Sequence, residues 1–253
     1  MKKIVLVSAL CLLSVQFILA QATHATASKP IGYINKVPIY AENDNPKAQV
    51  TKQSPKIYLK GGLNLADVVI KDNEDNYSED IKSKLGFHTG LTAEFPINEI
   101  VSIEPGLFFK AKGIKNEVSE SYQGVSYKTS TNANLNYLDI PVVAKASHKM
   151  GNLTAYGSLG PYLGFGLSGR SKMEETYNGE TQSTDEKIKW GSGSDDDLKR
   201  LDYGLTAGAG IEVNNIQIGL SYDLGLANIS ADTNNGMQTK VRCFNITLGL
   251  RIK

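Results

Sequence analysis

Cysteine, histidine and long apolar runs are all scarce in this chain, and each shortage removes a class of function. Of its two cysteines, Cys11 lies in the N-terminal apolar stretch and Cys243 stands alone beyond it, so no disulfide framework holds the fold. Cys243 reads as a small strand residue rather than a reactive thiol. Lipidation of Cys11 is excluded because Leu10, not a small residue, precedes it and the apolar run continues past it. Histidine occurs three times, at His24, His88 and His148, which leaves little for acid–base chemistry. The net charge of +1 gives no electrostatic case for nucleic acid. After the N-terminus no stretch reaches the roughly 18 apolar residues that a spanning helix needs, so a membrane role would require strands.

The first residues supply an export signal. Lys2 and Lys3 precede an apolar run at 4–20, and Ala20-Gln21-Ala22 forms a small-x-small cleavage site. Residues 1–22 therefore read as a secretory signal peptide, whose removal would leave 25 basic and 26 acidic residues. The tract 23–55 is polar, contains Pro30, Pro38, Pro46 and Pro55, and reads as a flexible periplasmic leader. A small docking strand near 31–40 is the alternative.

From residue 56 the pattern has period two. In KIYLKGGLNLA, Ile57, Leu59, Leu63 and Leu65 share one face while Tyr58, Lys60, Gly62 and Asn64 share the other; LGFHTGLTAEF alternates in the same way. Six further segments follow, at 100–112, 134–147, 153–168, 201–213, 216–227 and 241–252, which makes eight strands. Their connections alternate in length: 96–99, 147–152 and 214–215 are short, whereas 67–84, 113–133, 169–200 and 228–240 are long and polar. The expectation is an all-β, eight-stranded antiparallel up-and-down transmembrane barrel over 56–253, with four long extracellular loops and short periplasmic turns.

Charge placement separates this barrel from a soluble lipocalin-like cup. With the apolar face outward, parity sends Lys60, Glu94, Glu104, Lys110, Asp139, Lys145, Asp202, Glu212, Asp223 and Arg251 into the lumen, six acids against four bases. Such a mixture can pair in a polar lumen but would spoil a dry ligand cup. The same parity places Phe87, Phe109, Phe165 and Tyr203 outward at the long-loop end and Phe95 outward at the other, as interface girdles require. In NLNYLDIPVVAKAS, at 134–147, Leu138, Ile140, Val142 and Ala144 look outward, while Asp139, Pro141 and Lys145 look inward, with a bulge expected near Pro141. The GxG spacings in GLFFKAKG, GSLGPYLGFGLSG and GLTAGAGIEV precede no helix, so they read as relief of crowding in a narrow barrel rather than as phosphate loops.

The segments KGGLNLA, FHTGLTAEFPI, SIEPGLFFKAKG, YLDIPVVAKA, GPYLGFGLSG, LDYGLTAGAGIEV and ITLGLRIK together resemble the outer-membrane β-barrel family of Bacteroidota, the porin-family or PorT-like proteins. The likeness covers about 56–253, and the most specific piece is YLDIPV at 137–142. It implies an eight-stranded barrel in the outer membrane, with service in protein secretion among some relatives; the partners expected are outer-membrane lipid and surface or secretion-machinery proteins, and the barrel is expected to be a monomer. It supplies no catalytic residues. One departure is the ending Ile252-Lys253, where such barrels usually carry a terminal aromatic.

Sites for other chemistry are thin. His88 alone among the histidines faces the lumen, where an ordinary hydrogen bond accounts for it better than a nucleophile's base. DNEDNYSED at 72–80 and GSGSDDD at 191–197 offer oxygen ligands, but Tyr77 stands where a calcium loop needs glycine, so both read as solvated loops. No enzyme, metal or cofactor is expected. The third long loop carries the single tryptophan, Trp190, amid dense charge. The function expected is envelope structure or surface interaction, with secretion-accessory service as a variant. A small-solute channel and a soluble ligand-binding barrel are the alternatives.

Overall fold

A computed structural model of the chain describes residues 32–34, 37–39, 54–76, 81–122, 125–193 and 195–253. Two compact units divide it, Met1–Val50 and Thr51–Lys253. In the first, β1 (Gly32–Ile34) and β2 (Val37–Ile39) pair as an antiparallel hairpin with Gly32 opposite Ile39. Two short strands thus stand where the sequence suggested at most one. The expected signal peptide and most of the leader lie outside the described residues.

The second unit is a closed antiparallel ring. Its strands are β3 (Lys56–Lys71), β4 (Ile81–Pro96), β5 (Val101–Tyr122), β6 (Val125–Met150), β7 (Leu153–Tyr177), β9 (Leu201–Val213), β10 (Ile216–Gly225) and β11 (Gln238–Arg251), with β8 (Glu180–Lys187) attached only to β7. Each ring strand pairs with its chain neighbour, β7 with β9, and β11 closes onto β3 with Leu250 opposite Leu59. The terminal residues complete that seam, since the Ile252 amide donates to the Ile57 carbonyl at 2.8 Å. Closure leaves the eight ring strands no free edge, which is what a sheet without surrounding water requires.

Alternation along each strand sorts the side chains as parity predicts. Leu59, Leu63, Leu91, Leu107, Leu163, Leu220, Ile246 and Leu248 are each about half exposed on the outside, while Tyr58, Asn64, Tyr137, Asp139 and Asp202 are fully buried inside. An outside lined with leucine and an inside lined with charge rules out the dry cup. Phe87, Phe95, Phe165 and Tyr203 are exposed at the expected ends, and Phe109 packs beside Phe87 with ring centroids 5.9 Å apart.

Several boundaries differ from the sequence reading. Much of what reads as the second and third long loops is strand: β5 and β6 continue through 113–122 and 125–133, and β7 and β8 form a hairpin over 169–187. The turn expected at 147–152 shrinks to Gly151-Asn152, with Gly151 at φ 61° in the left-handed region that favours glycine. The bulge expected at Pro141 lies elsewhere. Pro141 interrupts the ladder without shifting the register, whereas the register between β6 and β7 slips at Asn136/Tyr137. A second slip, between β4 and β5, lies between Ser83 and Phe87.

Candidate functional site

Buried chemistry-bearing side chains converge in the lumen, where they form two layers. At the short-turn end Lys145 lies 2.6 Å from Glu94 and 3.3 Å from Glu104, which also takes Lys60. Lys56 reaches Glu94 at 3.5 Å. Beside them Glu212 accepts from the Tyr58 hydroxyl at 3.0 Å and the Gln217 amide at 2.9 Å, and pairs with Arg251 at 3.4 Å. At the long-loop end Lys110 lies 2.6 Å from Asp223 and 3.5 Å from Asp139, and Lys112 lies 3.0 Å from Asp139 and 3.7 Å from Asp202. The Tyr162 hydroxyl donates to Asp202 at 3.2 Å, and the Asn245 amide donates to Asp223 at 3.1 Å.

Parity along the strands explains the grouping, because a residue's place in the chain sets its height. Glu94, Glu104, Lys145 and Glu212 lie within a few residues of a short turn and Lys60 and Arg251 near the two ends of the barrel segment, whereas Lys110, Asp139, Asp202 and Asp223 lie toward the long loops. The ten therefore sit in two separate layers rather than one continuous network. Nine of them are buried and Arg251 is half-buried at the mouth.

Sequence reasoning missed Lys112, Lys56, Tyr156 and Tyr162. Lys112 closes the strand read at 100–112, shares the parity of Lys110 and is 3% exposed, so alternation alone places it in the lumen. Adding Lys112 and Lys56 turns six acids against four bases into six against six. Tyr156 and Tyr162 lie against lysines, with the Lys145 ammonium 4.4 Å from the Tyr156 ring centroid and that of Lys112 5.6 Å from Tyr162. Inward glycines make room for them: a Cβ on Gly210 would fall 2.5 Å from the Tyr156 hydroxyl, and one on Gly204 would fall 2.8 Å from the Tyr162 ring. The GxG spacings thus serve packing inside strands.

Between the layers lies a cavity of about 110 Å³ bordered by Lys60, His88, Glu104, Lys110, Asp139 and Tyr156. Below it a polar vestibule of about 450 Å³ opens at the short-turn end. His88 bonds through Nε2 to the Thr247 hydroxyl at 3.0 Å and packs edge-on against Phe108. Its other nitrogen has no hydrogen-bond partner in the protein, so no carboxylate orients the ring as a catalytic base would need.

Two connections fold over the long-loop end. Trp190 stacks edge-on against the buried Tyr137, with centroids 5.6 Å apart. Nearby, Ile229 and Ala227 pack with Val68 and Val241 in a small apolar core that Ile114, Ile70 and Leu198 flank. In the acidic loop at 191–197, expected to be solvated, Asp196 accepts from Gly193 N and Asp197 from Lys189 N, each at 2.8 Å. Part of the other acidic segment, 77–80, lies outside the described residues.

Solved structures of outer-membrane and surface proteins are similar to this chain at low identity. The attachment invasion locus protein Ail of Yersinia pestis, solved with the heparin analogue sucrose octasulfate, is 16% identical, with 79% of this chain and all of that one covered at a TM-score of 0.35. Neisserial surface protein A is 14% identical, covering 79% and 99% at 0.35. OprG of Pseudomonas aeruginosa is 13% identical, covering 79% and 97% at 0.38. No curated protein matches the sequence. The family described as outer membrane protein beta-barrel domain matches over residues 47–231, and the chain belongs to that family of outer-membrane barrels.

Proposed function

We propose that the protein is a non-enzymatic barrel that keeps its lumen shut and presents the extended strands of its long-loop end outside the cell as an interaction surface. The observation that carries this reading is the contrast between the two parts. The lumen is packed with paired charge, while β5 to β8 continue beyond the apolar belt as a sheet over 113–122, 125–136, 168–177 and 180–187. Breaking a buried pair costs roughly 3–5 kcal/mol, so opening a path through both layers would be expensive. An eight-stranded barrel is only wide enough for its side chains to fill, which favours a plug over a pore. The YLDIPV segment and its flanking glycine-rich strands resemble the PorT-like barrels of Bacteroidota, and on that resemblance the surface extends to accessory service in protein secretion.

The small-solute channel is the second reading, and the 450 Å³ vestibule favours it. A planar bilayer separates the two. The closed barrel gives no sustained conductance, and steady single-channel currents from the unmodified protein would replace the first reading with the second. Exposure of the extended sheet is tested by a cysteine placed at Ser183 and a membrane-impermeant thiol reagent on intact cells. Labelling only after the cells are broken would sink the surface role.

A further inference from the structure

Above the apolar belt the outward side of the extended sheet is basic in its first two rows. Across β5 to β8 the first row reads Gly113, Asn134, Arg170 and Lys187, and Lys84 of β4 reaches into it to donate to Asn134 at 2.6 Å and to Asn132. The second row, from β4 to β8, reads Lys82, Lys115, Asn132, Lys172 and Asp185. These rows hold six bases and one acid. Above residue 113 the opposite side of the same strands carries Glu175, Glu180 and Glu186 and, among the described residues, no base.

The segregation carries an internal cost. Lys82 stands directly opposite Lys115, and Arg170 directly opposite Lys187, and like charges so placed destabilise a sheet. Acids answer only part of this. Glu117 takes Lys82 at 2.8 Å and Lys115 at 2.9 Å, Asp185 takes Arg170 at 3.0 Å, and Glu174 takes Lys172 at 2.6 Å. Among the described residues Lys84 and Lys187 have no carboxylate within 4.0 Å. Fixed anions outside the chain would turn this repulsion into attraction.

Height says which anions. The rows begin just above Leu85 on β4 and, on β5 to β7, one row above Leu138, the row between holding Ala111, Asn136 and Ser168. Successive residues on one face of a strand rise about 6.7 Å, and the polar zone of a bilayer adds about 5–8 Å per leaflet beyond the hydrocarbon. With strands tilted by about 45° each row climbs about 5 Å along the bilayer normal, so the first basic row lies near the outer edge of the headgroup zone and the second just beyond it, where lysine and arginine stems reach back toward the phosphates. A recess of about 340 Å³ on this side, lined by Lys115, Lys128, Asn132 and Lys172 together with Glu117 and Glu174, has the size for a phosphorylated sugar and one more base than acid.

We propose that this basic side of the sheet binds the phosphate groups of the anionic glycolipid headgroups in the outer leaflet on which it stands. The inference rests on the extended sheet lying outside the cell. Lysine ammonium groups and the Arg170 fork supply charge-assisted donors to phosphate, and the asparagines supply partners for sugar hydroxyls.

The test uses the full chain folded in phosphatidylcholine nanodiscs, with bisphosphorylated lipid A as the probe and native mass spectrometry as the readout. Lys84→Gln, Arg170→Gln and Lys172→Gln are combined in one variant, and Lys149→Gln at the opposite end serves as control. Retention of the heat-dependent gel shift shows that each barrel is folded. Lipid A affinity is expected to fall about tenfold in the triple variant, as three weak charge contacts would give, and to stay unchanged in the control. Lipid A stripped of phosphate should bind the unmodified protein as weakly as intact lipid A binds the triple variant. Equal binding by the unmodified protein and the triple variant, or indifference to phosphate, would overturn the proposal. So would tight binding of a soluble sulfated polysaccharide without preference for lipid A, which would assign the face to a surface glycan. A sheet found inside the cell by the Ser183 labelling above would remove the premise, independently of the lipid result.

Discussion

The Lys112 ammonium lies 3.0 Å from an Asp139 carboxylate oxygen and 4.6 Å from the Tyr137 ring centroid, inside a layer where two lysines face three aspartates. Removing Lys112 would leave Lys110 alone against Asp139, Asp202 and Asp223. Lys112→Met should therefore destabilise the barrel by roughly 3–5 kcal/mol, the usual cost of stranding a buried charge. Combining it with Asp202→Asn removes one stranded acid and should recover a substantial part of that loss. Urea unfolding in lipid vesicles, followed by the gel shift, reads both effects. A single variant as stable as the parent would mean that water already solvates this layer.

Trp190 is the only tryptophan, which makes its emission a direct report on the cover at the long-loop end. It rests on Gly166, where a Cβ would fall within 3.0 Å of three ring atoms. Gly166→Ala should push the indole off Tyr137 and toward water. The expected outcome is red-shifted emission and easier quenching by acrylamide, with the gel shift intact. Unchanged emission would place the ring elsewhere in solution.

Much of this architecture was legible because a membrane barrel writes its two faces in alternate residues. Asp139 and Leu138, adjacent in the chain, went to opposite faces on parity alone. The reading failed where that contrast fades. Beyond Lys112 the outward face of β5 turns polar, so a strand that continues to Tyr122 reads as a loop. The slips at Asn136/Tyr137 and between Ser83 and Phe87 were illegible for another reason: register belongs to the pairing of two strands, and neither strand encodes it by itself. The grouping of lumen charges into two layers needed heights that only the register supplies.

Glu117, in the extended sheet beyond the belt, is gripped by Lys82 and Lys115, and hydrogen bonds from these two lysines lower its pKa from 4.5 to about 2. A depressed carboxylate stabilises the native state above the unfolded value and loses that contribution as pH falls through the folded one. The grip should therefore hold from neutral pH down to about 4.5 and fade between there and about 2. Carbon-13 titration of the Glu117 carboxyl should give a midpoint well below 4, and Lys82→Gln should raise it. An ordinary midpoint near 4.5 would show that the two lysines are free in solution.

Leu220 and Ile216 lie on the same outward face of β10, and each is 50% exposed, yet they differ in depth. Leu220 sits at mid-strand between Ala209 and Ile246, whereas Ile216 opens the strand beside the Asn214-Asn215 turn. In water, arginine at the two positions would be equally harmless, because both side chains already face outward. In a bilayer, arginine near the midplane costs about 2–4 kcal/mol and near the interface about 0–1 kcal/mol. Leu220→Arg should thus lower the stability of the vesicle-embedded barrel far more than Ile216→Arg, and the gap should shrink in detergent micelles, which deform around a charge. Equal losses in vesicles would contradict a belt centred on Leu220, because burial, strand and face are matched and depth is the variable left to act.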